Sequence, residues 1–136
     1  MEEKVNRDQA TAEVTRWMDA KKMSAKKREA NEANIETLVD AIVEGNLSLK
    51  DGNVLSQKLR FPIETTEGKV AYDTLDYKPR LDLHGIHIHL QGVKPTDMDS
   101  RLCAYVAALT SKPKDIIKKL DTEDYSIAQA IAVFFA

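Results

Sequence analysis

The chain has 136 residues, with 20 basic against 22 acidic side chains, a formal net charge of -2 and 43% hydrophobic residues. That length supports one ordinary core, and the near balance of charge argues against a protein built to neutralise nucleic-acid phosphate or to lie on an anionic membrane. A single cysteine, Cys103, excludes an internal disulfide and a cysteine-only zinc site and points to a reducing, cytoplasmic setting.

The N-terminus, MEEKVNRDQATAEV, lacks the apolar stretch of an export signal, and nowhere does a run of about 18 apolar residues suggest a membrane helix. Residues 1–45 read as a helical arm. No proline interrupts them, and apolar residues return at helical spacing, first Val14, Trp17 and Met18, then Ile35, Leu38, Val39 and Ile42. Asp8 is the expected cap of the first helix and Gly45 the expected end of the second. Between the two apolar sets, Lys21 to Arg28 holds five cations in eight residues, so a joint is expected near Ser24. Glu32, Glu36, Asp40 and Glu44 form an acidic row along the second helix, expected to be a solvated face.

From Asn46 the period changes to two. Leu47 and Leu49 precede Asp51-Gly52-Asn53, with Val54 after it, which is a hairpin signal. A second turn is marked by Glu67-Gly68. Alternation continues through Val70, Tyr72, Leu75, Tyr77, Leu81, Leu83, Ile86, Ile88 and Leu90, so a small antiparallel sheet is expected in this middle third. Pro62 and Pro79 each lack a ladder donor and belong at an edge or a break. Helical signals return at Thr96, read as a cap with Asp99, followed by Met98, Leu102, Val106 and Leu109 on one face. Pro113 opens a short helix. Asp121 and Asp124 are read as capping a last helix that carries Ile127, Ala128, Ile131, Phe134 and Phe135. The expected fold class is α+β: the helical arm of residues 1–45, then a domain over 46–136 with the sheet and a C-terminal bundle of about three helices.

The three histidines, His84, His87 and His89, stand within six residues. On a strand His87 and His89 would share a face about 6–7 Å apart, near enough for one metal ion. The competing reading makes them the polar face of an amphipathic strand, and no third ligand at zinc spacing accompanies them. The expectation is therefore no metal and no cofactor. Nucleophile elbows and phosphate-cradling glycine loops are absent from the sequence, so no catalytic residue is assigned. The basic stretch at Lys21 to Arg28 could meet an acidic partner or nucleic acid but is read as a solvated junction. The C-terminal Tyr125 to Ala136 carries an apolar face that something must cover, either the chain's own core or a second chain.

The order Leu59-Arg-Phe-Pro-Ile63, the Gly68 turn, Leu75-Asp-Tyr-Lys-Pro-Arg-Leu81, Ala107-Ala-Leu-Thr-Ser-Lys-Pro113, Ile117-Lys-Lys-Leu-Asp121 and Asp124 to Phe135 resembles the small tail assembly chaperones of contractile-tailed phages. The likeness covers about residues 57–136. It implies a non-enzymatic protein without cofactor that binds the tape measure protein during tail assembly in the host cytoplasm and self-associates. It also implies a short and a frameshift-extended form, and an end at Phe135-Ala136 is compatible with the short one. Trp17, Met18, Ile127, Ile131, Phe134 and Phe135 are the residues expected to meet the partner. The alternatives are a structural component of a tail or virion and a small metal-binding protein using the histidines.

Overall fold

The computed structural model describes residues 5–136; the very start of the expected arm, residues 1–4, lies outside them. The fold is α+β, with a three-stranded antiparallel sheet in the middle and helices at both ends.

Helix α1, Arg7–Ala20, begins at Asn6, whose side chain accepts from Gln9 N at 2.8 Å. The cap is thus one residue ahead of α1 and not Asp8, which lies inside the first turn where its charge suits the helix dipole. The expected joint is present. Lys22 takes a left-handed backbone (φ 55°), and Ser24 then caps the short helix α2, Ala25–Ala30, by accepting from Lys27 N. Helix α3, Glu32–Val43, follows and ends near Gly45, whose φ of 82° is the left-handed exit that glycine tolerates. The acidic row on α3 is partly engaged: Arg7 reaches both Glu36 and Asp40 at 2.8 Å, and Arg60 reaches Glu44. The two Arg7 pairs are about half exposed, so each contributes at most about 1 kcal/mol.

Strands β1, Leu47–Lys50, β2, Val54–Glu64, and β3, Val70–Tyr77, pair in the order β1-β2-β3. The first hairpin turns through residues 51–53, with Gly52 and Asn53 both at positive φ. Pro62 lies in the central strand, where a sheet normally rejects it. The reason is the length of β1, which pairs with β2 only as far as Gln57. Beyond that point one side of β2 is open, and the β2–β3 register is irregular between Lys58 and Ile63. Pro79 falls after β3, outside any strand.

The segment from Leu81 to Leu90 departs from the alternation reading. It forms helix α4, Leu83–Leu90, capped by Asp82, whose carboxylate accepts from Gly85 N at 2.7 Å. Ile86 is buried, and Leu83, Ile86 and Leu90 also satisfy the i, i+3, i+7 spacing of a helix face. Both periods fit the same apolar residues, and the Asp82 cap decides between them.

Helix α5, Met98–Thr110, is capped by Asp97, not by Thr96 with Asp99; the Asp97 carboxylate accepts from Ser100 N and from the Ser100 hydroxyl. Helix α6, Lys114–Ile117, starts after Pro113, and helix α7, Thr122–Ala132, is capped by Asp121, which accepts from Glu123 N. One buried cluster unites Val14, Trp17, Leu38 and Ile42 of the N-terminal helices with Leu55 and Leu75 of the sheet and Leu109, Ile131 and Phe134 of the C-terminal helices. Each such side chain contributes roughly 1.5–3 kcal/mol by leaving water.

Candidate functional site

The six residues expected to contact a partner are turned toward this core. Trp17, Met18, Ile127, Ile131 and Phe134 are all buried, and Phe135 is half-buried. Trp17 meets Phe134 edge-on with ring centres 5.5 Å apart and Phe135 at 6.2 Å. The N-terminal helices therefore cover the apolar face of α7, which also packs against α3 and α5. In the closed chain these side chains do not form an accessible surface.

Asp124, read from the sequence as a helix cap, is buried and reaches another element. Its two carboxylate oxygens each accept at 3.0 Å from a backbone N–H of β2, Arg60 and Phe61, in the stretch where β1 has ended. Its backbone carbonyl accepts from the Gln57 amide at 2.9 Å, and Gln57 Oε1 in turn accepts from the Tyr77 hydroxyl at 2.6 Å. Burial, reinforced by Asp124 and Tyr125, holds the Tyr77 hydroxyl protonated well above the ordinary tyrosine range. This network fastens α7 to the sheet. It is enclosed, every buried side-chain polar atom among the described residues has a partner, and it offers no group to a ligand.

The exposed apolar residues lie elsewhere. Leu83 is 86% exposed and Ile88 65%, both on α4, and Met98 at the start of α5 is also exposed. The outward side of α4 carries Leu83, His84, His87 and Ile88, so no residue with a fixed charge stands on it, in a chain of which 31% is Asp, Glu, Lys and Arg. Leu83, His84, Ile86, His87 and Leu90 line a shallow depression of about 330 Å³ there. The helix is tied down from beneath by Lys114 Nζ, which donates to the His89 carbonyl at 2.9 Å. Burial, then Lys114 and Lys78 nearby, lower the His89 pKa below its ordinary value.

Beside α4 runs an open cleft of about 680 Å³ between α5, α6 and the start of α7. Val93, Cys103, Ile117, Leu120 and Tyr125 contribute its apolar lining, and Lys114, Lys118, Asp97 and Asp99 line it as well. Burial pushes the Cys103 thiol up despite Lys118 and Lys114, which keeps it in its poorly nucleophilic form. Tyr125 is pushed up to about 12, chiefly by burial and further by Cys103 and Asp99. Protonated groups on an apolar wall suit contact with another surface.

The histidines do not meet as the strand reading required. On α4, His84 and His87 share a side at helical i, i+3 spacing, whereas His87 and His89 point roughly 160° apart. Among the described residues no group of three His, Cys, Asp or Glu side chains is placed to hold a metal ion. Among them, too, no helix is long and apolar enough to cross a membrane. Compared with protein-family models, with curated proteins and with solved structures, the chain matches none.

Proposed function

We propose that this chain is a non-enzymatic assembly chaperone of the phage-tail type, which holds an apolar helical segment of a tape measure protein and keeps it from aggregating. The observation that carries the reading is the outward side of α4, where Leu83 and Ile88 stand in solvent on a helix that has no charged residue of its own beyond its capping Asp82. Adjacent to it, the open cleft between α5 and α6 supplies an apolar wall with charged residues of both signs in its lining. An amphipathic helix laid along such a surface covers apolar area on both partners, which is the ordinary helix-in-groove mode. Weak contacts of this kind hold a long partner when several copies act together, because each bound copy raises the effective concentration of the next.

The test is co-expression with tape measure fragments, followed by size-exclusion chromatography with light scattering. A soluble co-eluting complex is expected, and the Leu83→Asp, Ile88→Asp double variant is expected to lose it while keeping the circular dichroism of the parent. A parent chain that rescues no fragment, or a double variant that still captures fragments as well as the parent, overturns the reading.

A further inference from the structure

Strand β3 forms one side of the sheet, and its neighbours fix which way its peptide groups point. Lys58 N donates to the Asn46 carbonyl on the β1 side, so Gln57 and Leu55, of the other parity, turn toward β3 and make the hydrogen-bonded pairs with Leu75 and Tyr77. The N–H and C=O of Thr74 and Asp76 therefore point away from β2. Those of Tyr72 do too, because the extra residues of the register shift lie in β2 and leave β3 regular. Both ends of the strand agree with this parity: the Lys69 carbonyl turns inward to Thr65 N, and Lys78 N–H turns outward to the Leu109 carbonyl of α5. Short of Lys78, no described residue bonds to the outward groups of Tyr72, Thr74 and Asp76. A cleft of about 230 Å³ opens beside them, with Thr110 and Lys112 also in its lining.

An unpaired edge is completed by another strand, and a second copy of β3 fits it in one register. Antiparallel pairing centred on Asp73 sets two aspartates directly opposite each other, which is unfavourable. Centred on Leu75, the pairing calls on the Lys78 N–H that Leu109 already holds. Centred on Thr74, it sets Thr74 against Thr74 and Tyr72 against Asp76, and every outward group of these residues finds its bond. Charge agrees with this last register. Lys112 stands over the Tyr72 ring at 4.6 Å and is thereby carried to Asp76 of the second copy. Lys50 lies 3.6 Å from one oxygen of Asp76 and leaves the other free. On each copy Lys50, Lys112 and Lys58, the partner of Thr74 on β2, stand against Asp73 and Asp76, so the seam carries little net charge. The two Asp73 carboxylates remain diagonal to one another, a weak opposition.

We propose that two copies of this chain join along β3, antiparallel and centred on Thr74, as one continuous sheet across a twofold axis. Such a contact closes on itself, and its small area makes a dimer that forms and dissociates with concentration. The proposal uses no residue of α4 or of the cleft beside it, and its failure leaves the chaperone reading untouched. The test is sedimentation of the full chain from micromolar to millimolar concentration, with amide hydrogen exchange followed at both ends of that range. Reversible dimerisation is expected, with the Thr74 and Asp76 amides protected only where the dimer forms. Thr74→Pro removes an outward N–H and no bond to β2; it is expected to keep the parent's circular dichroism and to weaken the dimer about tenfold. Lys112→Glu is expected to weaken it about threefold, and adding Asp76→Lys to restore it. Asp73→Asn is expected to tighten it about twofold. A chain that stays monomeric, a dimer whose Thr74 and Asp76 amides stay unprotected, or parent affinity in both Thr74→Pro and Lys112→Glu overturns the proposal. Failure of Asp76→Lys to rescue Lys112→Glu overturns the register.

Discussion

Helices α4 and α7 are both rich in apolar residues, yet they end in opposite surroundings. Of α7, Ile127, Ala128, Ile131 and Ala132 are buried, and Phe134 just beyond it lies beneath Trp17. Of α4, only Ile86 is buried, and Leu83 and Ile88 stand in solvent. The difference lies in the partners each helix finds. Helix α7 is packed by α3, α5 and β2, whereas α4 packs chiefly on α5. Apolar content thus shows that a surface needs cover, and the rest of the chain decides whether cover is supplied. The helix that the sequence marks as most in need of a partner already has one, and the segment read as half-solvated strand is the one left bare.

The largest effect expected within this contrast comes from the covered side. Trp17→Ala removes the ring that closes over Phe134 and is expected to cost about 3–5 kcal/mol in urea unfolding, enough to leave a small domain partly unfolded. Asp124→Ala comes next. It leaves the Arg60 and Phe61 N–H groups without their acceptor, an expected loss of about 2–4 kcal/mol, with Asp124→Asn losing less because its amide oxygen still accepts one of the two bonds. A value under about 0.5 kcal/mol, typical of a surface change, shows that water replaces the carboxylate and that α7 is not fastened there.

The bare side is expected to respond in the opposite way. The Leu83→Asp, Ile88→Asp variant changes unfolding free energy by no more than about 1 kcal/mol, as two exposed substitutions ordinarily do, so a loss of capture by it reports on binding. The smallest effect belongs to Lys21. Its folded pKa of about 8 lies below the ordinary 10.5, so in the folded state the charged form is disfavoured. The unfolded chain binds more protons between those values, and stability from this group therefore rises as pH climbs from about 8 to 10.5. Tyr77 and Tyr125, held protonated by burial, act in the opposite sense once pH passes the ordinary tyrosine value of about 10. Comparing the parent with Lys21→Gln across pH 7.5–10.5 isolates the rise, which is small because Lys21 is only half-buried. A parallel pair of stability curves shows that the Phe135 ring compensates the ammonium for lost water.

What was legible in the sequence follows from how local each signal is. Ser24, Gly45, Gly52 and Asp121 act on backbone groups within a few residues of themselves, and the joint, both turns and the start of α7 are found where those residues predict. Asn6 and Asp97 show that a helix start can be legible while its cap is misplaced by one or two positions, since neighbouring polar residues compete for the same N–H groups. The segment from Leu83 to Leu90 satisfies periods of two and of 3.6 with the same residues, so periodicity alone could not choose. Asp124 lay beyond any local signal, because it binds a strand 63 and 64 residues away.

The pairing of Lys27 with Phe134 spans 107 residues, and that of Asp124 with Arg60 spans 64. Contacts so distant along the chain are slow to find, because a long loop must close before it is rewarded. During synthesis, Trp17 and the open part of β2 emerge long before the helix that covers them. Until α7 leaves the ribosome the nascent chain presents an unfinished core, so its own early life carries the same aggregation hazard that the mature protein, in the role proposed for it, suppresses in another.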